Sequence, residues 1–265
     1  VKYSFANKTI WITGASSGIG KALALEFAKL NTTLILSARR VEELEKTAAE
    51  CRELGSKAHV YPFDLSNPAE VELSAKRVVE DFPKIDILVN NGGISQRSLL
   101  INTSIEVDRK VMEIDFFSGV ILTKALLPGM IKQNGGHIIV ISSVTGVFGF
   151  PLRSAYSAAK HALHGFYETL WAELHEKGVE VTIACMGRIN TNVSLNAITG
   201  NGALYGIMDH DTEKGISAQD CAQRIIKAAS KKKKTVFIAR RELIMVYFKR
   251  FSPWLYYKLV SRVQP

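Results

Sequence analysis

Residues 8–30 read Lys8-Thr-Ile-Trp-Ile-Thr13, then Gly14-Ala-Ser-Ser-Gly18-Ile-Gly20, then an amphipathic run from Lys21 to Leu30. The first run is rich in β-branched and aromatic residues and predicts a strand, the glycines predict a tight turn, and the last run predicts a helix. Glycine reaches backbone angles closed to other residues and lets a ligand approach the main chain, while the N–H groups that open a helix attract anions. Strand, glycine turn and helix in that order form a candidate pyrophosphate cradle, with Gly14, Ser16, Ser17, Gly18, Ile19 and Gly20 as candidate contacts. The spacing Gly-x-x-x-Gly-x-Gly differs from the commoner Gly-x-Gly-x-x-Gly, and such a turn could also be a bare βα corner.

Outward from this unit, short apolar runs recur at residues 32–37, 57–61, 85–90, 137–142, 179–185 and 235–239. Helical patterns separate them: 41–54, closed by Gly55; 68–81; 105–132; a helix capped by Ser154 and ended by Gly178; and 217–230, capped by Ser217. This alternation predicts the α/β class, a doubly wound parallel sheet (Rossmann fold), as a single domain over residues 1–265. Residues 187–215 are irregular and rich in Gly and Asn, and are expected to cover the substrate, with Gly200-Asn-Gly202 as hinge material. Residues 240–265 mix aromatic, aliphatic and basic side chains in an amphipathic C-terminal extension too interrupted to span a bilayer. It could pack on a neighbouring subunit, roof the substrate pocket, or lie at a membrane interface.

A chain of 265 residues with 47% hydrophobic and 22% charged residues is a globular chain rather than a disordered one. Cys51, Cys185 and Cys221 have no metal-ligand spacing and read as thiols in a reducing compartment; the scattered His161, His164 and His175 give no metal site. No signal-peptide pattern opens the chain, so the expected location is cytoplasmic, membrane-peripheral if the tail makes that contact. The chain opens on Val1 rather than Met, which leaves room for an upstream segment or anchor. A net charge of +9 favours an anionic partner, of which a phosphorylated cofactor accounts for only a part. The lysine run 231–234 reads as a solvated turn without a recognition motif, so no nucleic-acid partner is expected.

Several strand ends carry polar groups where ligands gather in open α/β sheets. The second strand ends in Ala38-Arg39-Arg40, with no carboxylate for ribose hydroxyls; Arg39 and Arg40 could meet a 2′-phosphate with help from Ser16, or merely cap the strand in solvent. After the third strand, Asp64 and Leu65 follow Pro62-Phe63; Asp64 could accept from an adenine amino group or cap the loop. Asn90-Asn91-Gly92-Gly93 ends the fourth, where Asn90 could tie strands together and Gly92 leave room for a cofactor, or the whole could be a structural turn.

The chemistry centres on residues 142–160, Ser142-Ser-Val-Thr-Gly-Val-Phe-Gly-Phe-Pro-Leu-Arg-Ser-Ala-Tyr-Ser-Ala-Ala-Lys160. Tyr156 and Lys160 are four apart and stack on one helical face. A free phenol titrates near about 10, and a fixed positive charge beside it favours its anion, so the pair could exchange a proton with a carbonyl or alcohol oxygen. Ser143, at the end of a buried strand, could hold the same oxygen. An isolated Tyr-x-x-x-Lys more often packs without function; here Tyr156 alone of eight tyrosines has a lysine four residues on and a Ser-ended strand before it.

With Thr13-Gly14-x-x-x-Gly18-x-Gly20, Asn90-Asn91-Gly92, Ser143 and Tyr156-x-x-x-Lys160 in order across about residues 5–240, the chain resembles the short-chain dehydrogenase/reductase superfamily. The resemblance implies Tyr156 as proton donor or acceptor, Lys160 lowering its pKa and holding the nicotinamide ribose, and Ser143 on the substrate oxygen. It places Asp64, Asn90, Ile189 and Thr191 around the cofactor, with Arg39 marking preference for NADP. The chain is also similar to the branch containing 11β-hydroxysteroid dehydrogenases and related membrane-associated reductases. It departs from the family where Gly93 replaces Ala, Met186 replaces Pro, and Asp115 replaces the Asn of a water-linked proton path. A carboxylate at 115 would compensate Lys160 and weaken its pull on the Tyr156 proton.

The expectation is an NADP(H)-dependent oxidoreductase, Tyr156 its acid/base, exchanging hydride with a secondary alcohol or carbonyl of an apolar small molecule, and assembled as a homodimer or homotetramer. The alternative is a dinucleotide-binding sensor or scaffold with little turnover because of Asp115.

Overall fold

The computed structural model describes residues 3–263. In chain order the first half comprises β1 (Thr9–Thr13), α1 (Gly18–Ala28), β2 (Thr33–Ser37), α2 (Val41–Glu53), β3 (Lys57–Val60), α3 (Pro68–Asp81), β4 (Ile87–Asn90), α4 (Ile105–Met112) and α5 (Ser118–Lys132). The second comprises β5 (Gly136–Ser143), α6 (Ser154–Leu174), β6 (Val179–Met186), β7 (Ile189–Asn190), α7 (His210–Glu213), β8 (Ile216–Ser217), α8 (Ala218–Ser230), β9 (Thr235–Ile238), α9 (Leu243–Phe251) and α10 (Pro253–Val260). Seven strands pair in parallel in the order β3-β2-β1-β4-β5-β6-β9, the doubly wound α/β arrangement that the alternation predicts.

Strand side chains alternate faces, so a sheet covered on both sides needs strands that are apolar throughout. Ile10, Ile12, Leu34, Leu36, Ile87 and Val89 enter one core with Leu23 and Phe27 of α1, Leu44 of α2 and Ile225 of α8. Trp11, Ile35 and Leu88 enter the other with Val71 of α3, Leu122 of α5 and Leu163 of α6. The one polar atom of Trp11 is satisfied, its indole N–H donating to Ser37 Oγ at 2.9 Å. Caps follow the sequence: Asn67 accepts from the Glu70 N–H ahead of Pro68, and Ser217 from the Asp220 N–H.

Four expectations change. Ser154 does not cap α6; Arg153 takes the cap position, Ser154 is the first helical residue, and its hydroxyl faces the Gln96 side chain. The run 105–132 is not one regular helix, because a π turn over Glu113–Phe117 joins α4 to α5. Ile105–Lys132 is long and apolar enough to cross a membrane by length and composition, yet Val107, Val111, Leu122, Leu126 and Met130 are buried here. Gly200 is no free hinge: a Cβ there would stand 2.0 Å from the Asn102 carbonyl, and Ser194 and Ala197 in the same stretch are wholly buried. Finally, α9 and α10 fold back on the chain's own residues 144–150, burying Tyr256 against Val144 and Phe148, and no described residue of the tail lines the main cleft, so the tail does not roof it.

Candidate active site

The strand order reverses between β1 and β4, and a cleft of about 590 Å³ is lined by residues that follow both strands, as expected at such a switch point. Gly14 has φ +66°, and a Cβ on it would come within 2.8 Å of Gly92 Cα, so the turn meets the end of β4 only without a side chain. Ser16, Ser17, Gly18 and Ile19 continue this wall. No acidic residue stands in the first turn of α1 and no side chain caps it, so its opening N–H groups suit an anion. Gly20, expected as a contact, is outside the lining: a Cβ there would stand 2.2 Å from the Gly14 carbonyl oxygen and 2.5 Å from Asn91 Nδ2, so it is glycine for packing.

Arg40, not Arg39, reaches the glycine turn, donating to Ser17 Oγ at 3.2 Å and to Ser16 Oγ at 3.4 Å. Arg39 lies 3.9 Å from Asp64 Oδ2. Asp64 also accepts from the Ser66 N–H at 2.9 Å, so the loop-capping role is real, and its carboxylate still lines the cleft beside Leu65.

Asn90 departs from expectation most clearly. Its amide donates to Tyr167 Oη at 2.8 Å, Thr123 Oγ1 at 3.1 Å and Gly119 O at 3.4 Å, which ties β4 to α5 and α6 and keeps the side chain out of the cleft lining. Asn91 does the work at the turn instead, donating to Thr13 O at 2.9 Å and Gly14 O at 3.3 Å. The signal was in the doubled asparagine; which of the two faces the turn was not.

Ser143, Tyr156 and Lys160 share the cleft with the glycine turn, Gly92, Ile189 and Thr191. Ser143 Oγ donates to Met186 O at 3.3 Å and accepts from the Thr145 N–H at 3.2 Å and Thr145 Oγ1 at 3.0 Å. The buried Lys160 ammonium stands 5.5 Å from the centroid of the Tyr156 ring and donates to Ile141 O at 3.2 Å. It also lies 3.1 Å from Asp115 Oδ2. Asp115 sits on the π turn, a backbone irregularity common at functional positions, and its other oxygen accepts from the Ile94 N–H at 2.7 Å. Burial pushes the Asp115 carboxyl up, against the pull of Lys160. Burial also opposes the Lys160 charge, but Asp115 and then Tyr156 hold that ammonium above the usual lysine range. A Cβ on Gly93 would stand 3.1 Å from Asp115 Oδ2, so the two departures from the family pattern lie against each other.

The remaining lining combines Ile94, Ile114, Val193, Ile198 and Leu204 with three arginines that sequence reasoning missed, Arg97, Arg153 and Arg188. Buried Arg97 donates to Ser95 Oγ at 2.7 Å, Gln96 O at 3.0 Å and Asp209 Oδ2 at 2.5 Å. Arg153 Nη2 lies 3.5 Å from the same Asp209 oxygen, which also accepts from Ser194 Oγ at 3.0 Å. Burial, with Arg97 adding to it, pushes the Arg153 guanidinium down to about 10. Asp209 is held below the usual carboxylate range, its burial outweighed by Arg97, Ser194 and Arg153.

Residues 8–201 match the family model described as short chain dehydrogenase. The chain is 40% identical over 262 residues to "Dehydrogenase/reductase SDR family member 7B" of Bos taurus, covering 96% of this chain and 81% of that protein. It is 42% identical over 261 residues to "Dehydrogenase/reductase SDR family protein 7-like" of Anopheles gambiae, covering 96% and 82%. Among solved structures, a short-chain dehydrogenase/reductase from Burkholderia phymatum in complex with NAD superposes with a TM-score of 0.84 at 23% identity, covering 99% of each chain, a likeness of fold. An alcohol dehydrogenase from the archaeon Thermococcus sibiricus complexed with 5-hydroxy-NADP gives 0.75 at 26% identity, covering 89% and 97%.

Proposed function

The chain belongs to the short-chain dehydrogenase family, a dinucleotide-dependent oxidoreductase acting on a small organic substrate, and from that premise we propose an NADP(H)-dependent reductase of carbonyl groups. The observation that carries this reading is the joint presence of Ser143, Tyr156 and Lys160 in the cleft that the glycine turn lines. The residues suit a dinucleotide: an uncapped α1 N-terminus, a glycine turn that a Cβ would fill, and Arg40 over Ser16 and Ser17. Pyrophosphate would lie on Gly14 to Ile19, a 2′-phosphate on Arg40 and Arg39, and adenine by Asp64 and Leu65. The nicotinamide end would lie by Gly92, Ile189 and Thr191, with its ribose on Lys160. The arginines that end β2 without a carboxylate favour NADP over NAD. When bound, the cofactor supplies or accepts the hydride.

In reduction the Tyr156 hydroxyl donates its proton to the carbonyl oxygen as negative charge develops there. Lys160 holds a fixed positive charge beside the phenol, and Ser143 exchanges its long bond to Met186 O for one to the substrate oxygen. In oxidation the same groups run in reverse. The proposal extends to a homodimer or homotetramer, to kinship with the 11β-hydroxysteroid dehydrogenase branch, and to a cytoplasmic protein whose tail makes a peripheral membrane contact. Exposed Tyr247, Phe251, Trp254 and Tyr257 on that tail support the last of these.

Fluorescence titration of NADPH and NADH followed by a ketone screen tests the reading. NADPH binds more tightly, at least one ketone consumes it, and Tyr156→Phe binds NADPH but loses turnover by about 10²-fold or more. The close Lys160–Asp115 pair favours a second reading, a dinucleotide-binding sensor or scaffold. Binding without turnover on any ketone would select it.

A further inference from the structure

The part of the cleft away from the glycine turn holds a positive charge that the reaction itself does not use. Of the three guanidiniums there, Arg188 is matched by Asp211 at 2.7 Å, whereas Arg97 and Arg153 share the single carboxylate of Asp209. Arg97 directs three of its five N–H donors to Ser95, Gln96 and Asp209. The Arg153 guanidinium has no hydrogen-bond partner among the described residues, only the 3.5 Å approach to Asp209 Oδ2 and the Phe150 ring 5.5 Å from its central carbon. A half-buried guanidinium with free donors is costly to hold unless an anion completes it. Its planar fork matches a carboxylate or phosphate, and the Asp209 oxygen between the two arginines is an internal example of what the pair accepts. Arg153 stands at the N-terminal cap of α6, three residues before Tyr156, and lines the same cleft, so a group held there belongs to the molecule whose carbonyl meets Tyr156. Ile94, Val193, Ile198 and Leu204 supply an apolar wall for the rest of that molecule.

We propose that the substrate is an apolar carbonyl compound carrying an anionic group, a carboxylate or a phosphate, received by Arg153 with Arg97 behind it. This rests on the reductase reading above and narrows the apolar substrate that the sequence leads one to expect. Arg153 is a specificity residue and takes no part in hydride or proton transfer.

The test compares two ketone pairs with NADPH: a medium-chain oxo acid against its methyl ester, and a ketone ending in a phosphomonoester against the corresponding alcohol. Wild type favours at least one anionic member by about tenfold or more in kcat/KM, and the larger ratio tells carboxylate from phosphate. That ratio falls about tenfold in Arg153→Met, recovers in part in Arg153→Lys, and shrinks as salt is raised in wild type. Ratios near one for both pairs, or a preference that neither salt nor Arg153→Met reduces, would overturn the proposal. If Arg153→Met does not fold, the salt series on wild type decides alone. If none of the four compounds is turned over and the ketone screen also finds no substrate, the reductase reading is what has failed. Calorimetry of the same pairs on the NADP⁺-saturated protein then reads the anion site: tenfold tighter binding of an anionic member upholds it, and equal binding removes it.

Discussion

At Lys160 two demands meet. The ammonium is buried, donates to Ile141 O, and stands 3.1 Å from a carboxylate that the family resemblance would replace with an amide. Because Asp115 offsets the charge that Lys160 presents to the phenol, Asp115→Asn should raise turnover near neutrality and move the acidic limb of the oxidative pH–rate profile down by about one unit. An unchanged limb would mean that the carboxylate is silent. The second residue-scale expectation concerns cofactor choice. Charge-assisted hydrogen bonds contribute about 1.5–3 kcal/mol, so Arg40→Ala should lose about 10- to 100-fold in NADPH affinity with little change for NADH, read by fluorescence titration. Equal losses for both would place Arg40 on the pyrophosphate instead. The sequence offered Arg39 and Arg40 together, but which one turns to Ser16 and Ser17 depends on how β2 leads into α2. Asn90 and Arg97 were illegible for a related reason: their partners Tyr167 and Asp209 are 77 and 112 residues away.

Among the elements, the inner strands β1, β2, β4, β5 and β6 were the easiest to read, since burial on both faces leaves no alternation to misassign. The glycine turn was readable because its function needs Cβ-free positions. The π turn was not, because Glu113–Phe117 has ordinary helical composition. The tail was open among three placements, of which roofing the pocket is the one its contact with residues 144–150 replaces. Tyr256 anchors it, its hydroxyl donating to Gly149 O at 2.7 Å and its ring lying edge-on to Phe148. Tyr256→Ala should cost the tail about 3 kcal/mol of local stability. The measurable result is faster proteolytic cleavage within residues 240–260 while the sheet's unfolding midpoint barely moves. Cleavage at the wild-type rate would show that the tail is held elsewhere.

For the whole molecule, acid stability has an identifiable source. His137, on β5, is buried with Nε2 2.9 Å from Thr182 Oγ1, and burial pushes its imidazole down to about 4. An unfolded histidine titrates near about 6.5, so between those values the unfolded chain binds a proton that the folded chain excludes. Stability from the neutral ring is therefore present above about pH 6.5 and lost as pH falls toward about 4, amounting to about 2 kcal/mol by pH 5. Urea midpoints at pH 7.5 and 5 should differ more for wild type than for His137→Gln. Equal differences would assign the acid sensitivity to other groups.

The account rests on Tyr156 completing a hydride transfer to carbon. Incubating the protein with a ketone that it accepts and NADPH deuterated at the transferable position, then analysing the alcohol by mass spectrometry, tests this most directly. Deuterium at the carbinol carbon with wild type, and at least about 10²-fold less of it with Tyr156→Phe at equal NADPH occupancy, is the predicted result. Undiminished deuterium incorporation by Tyr156→Phe would contradict it.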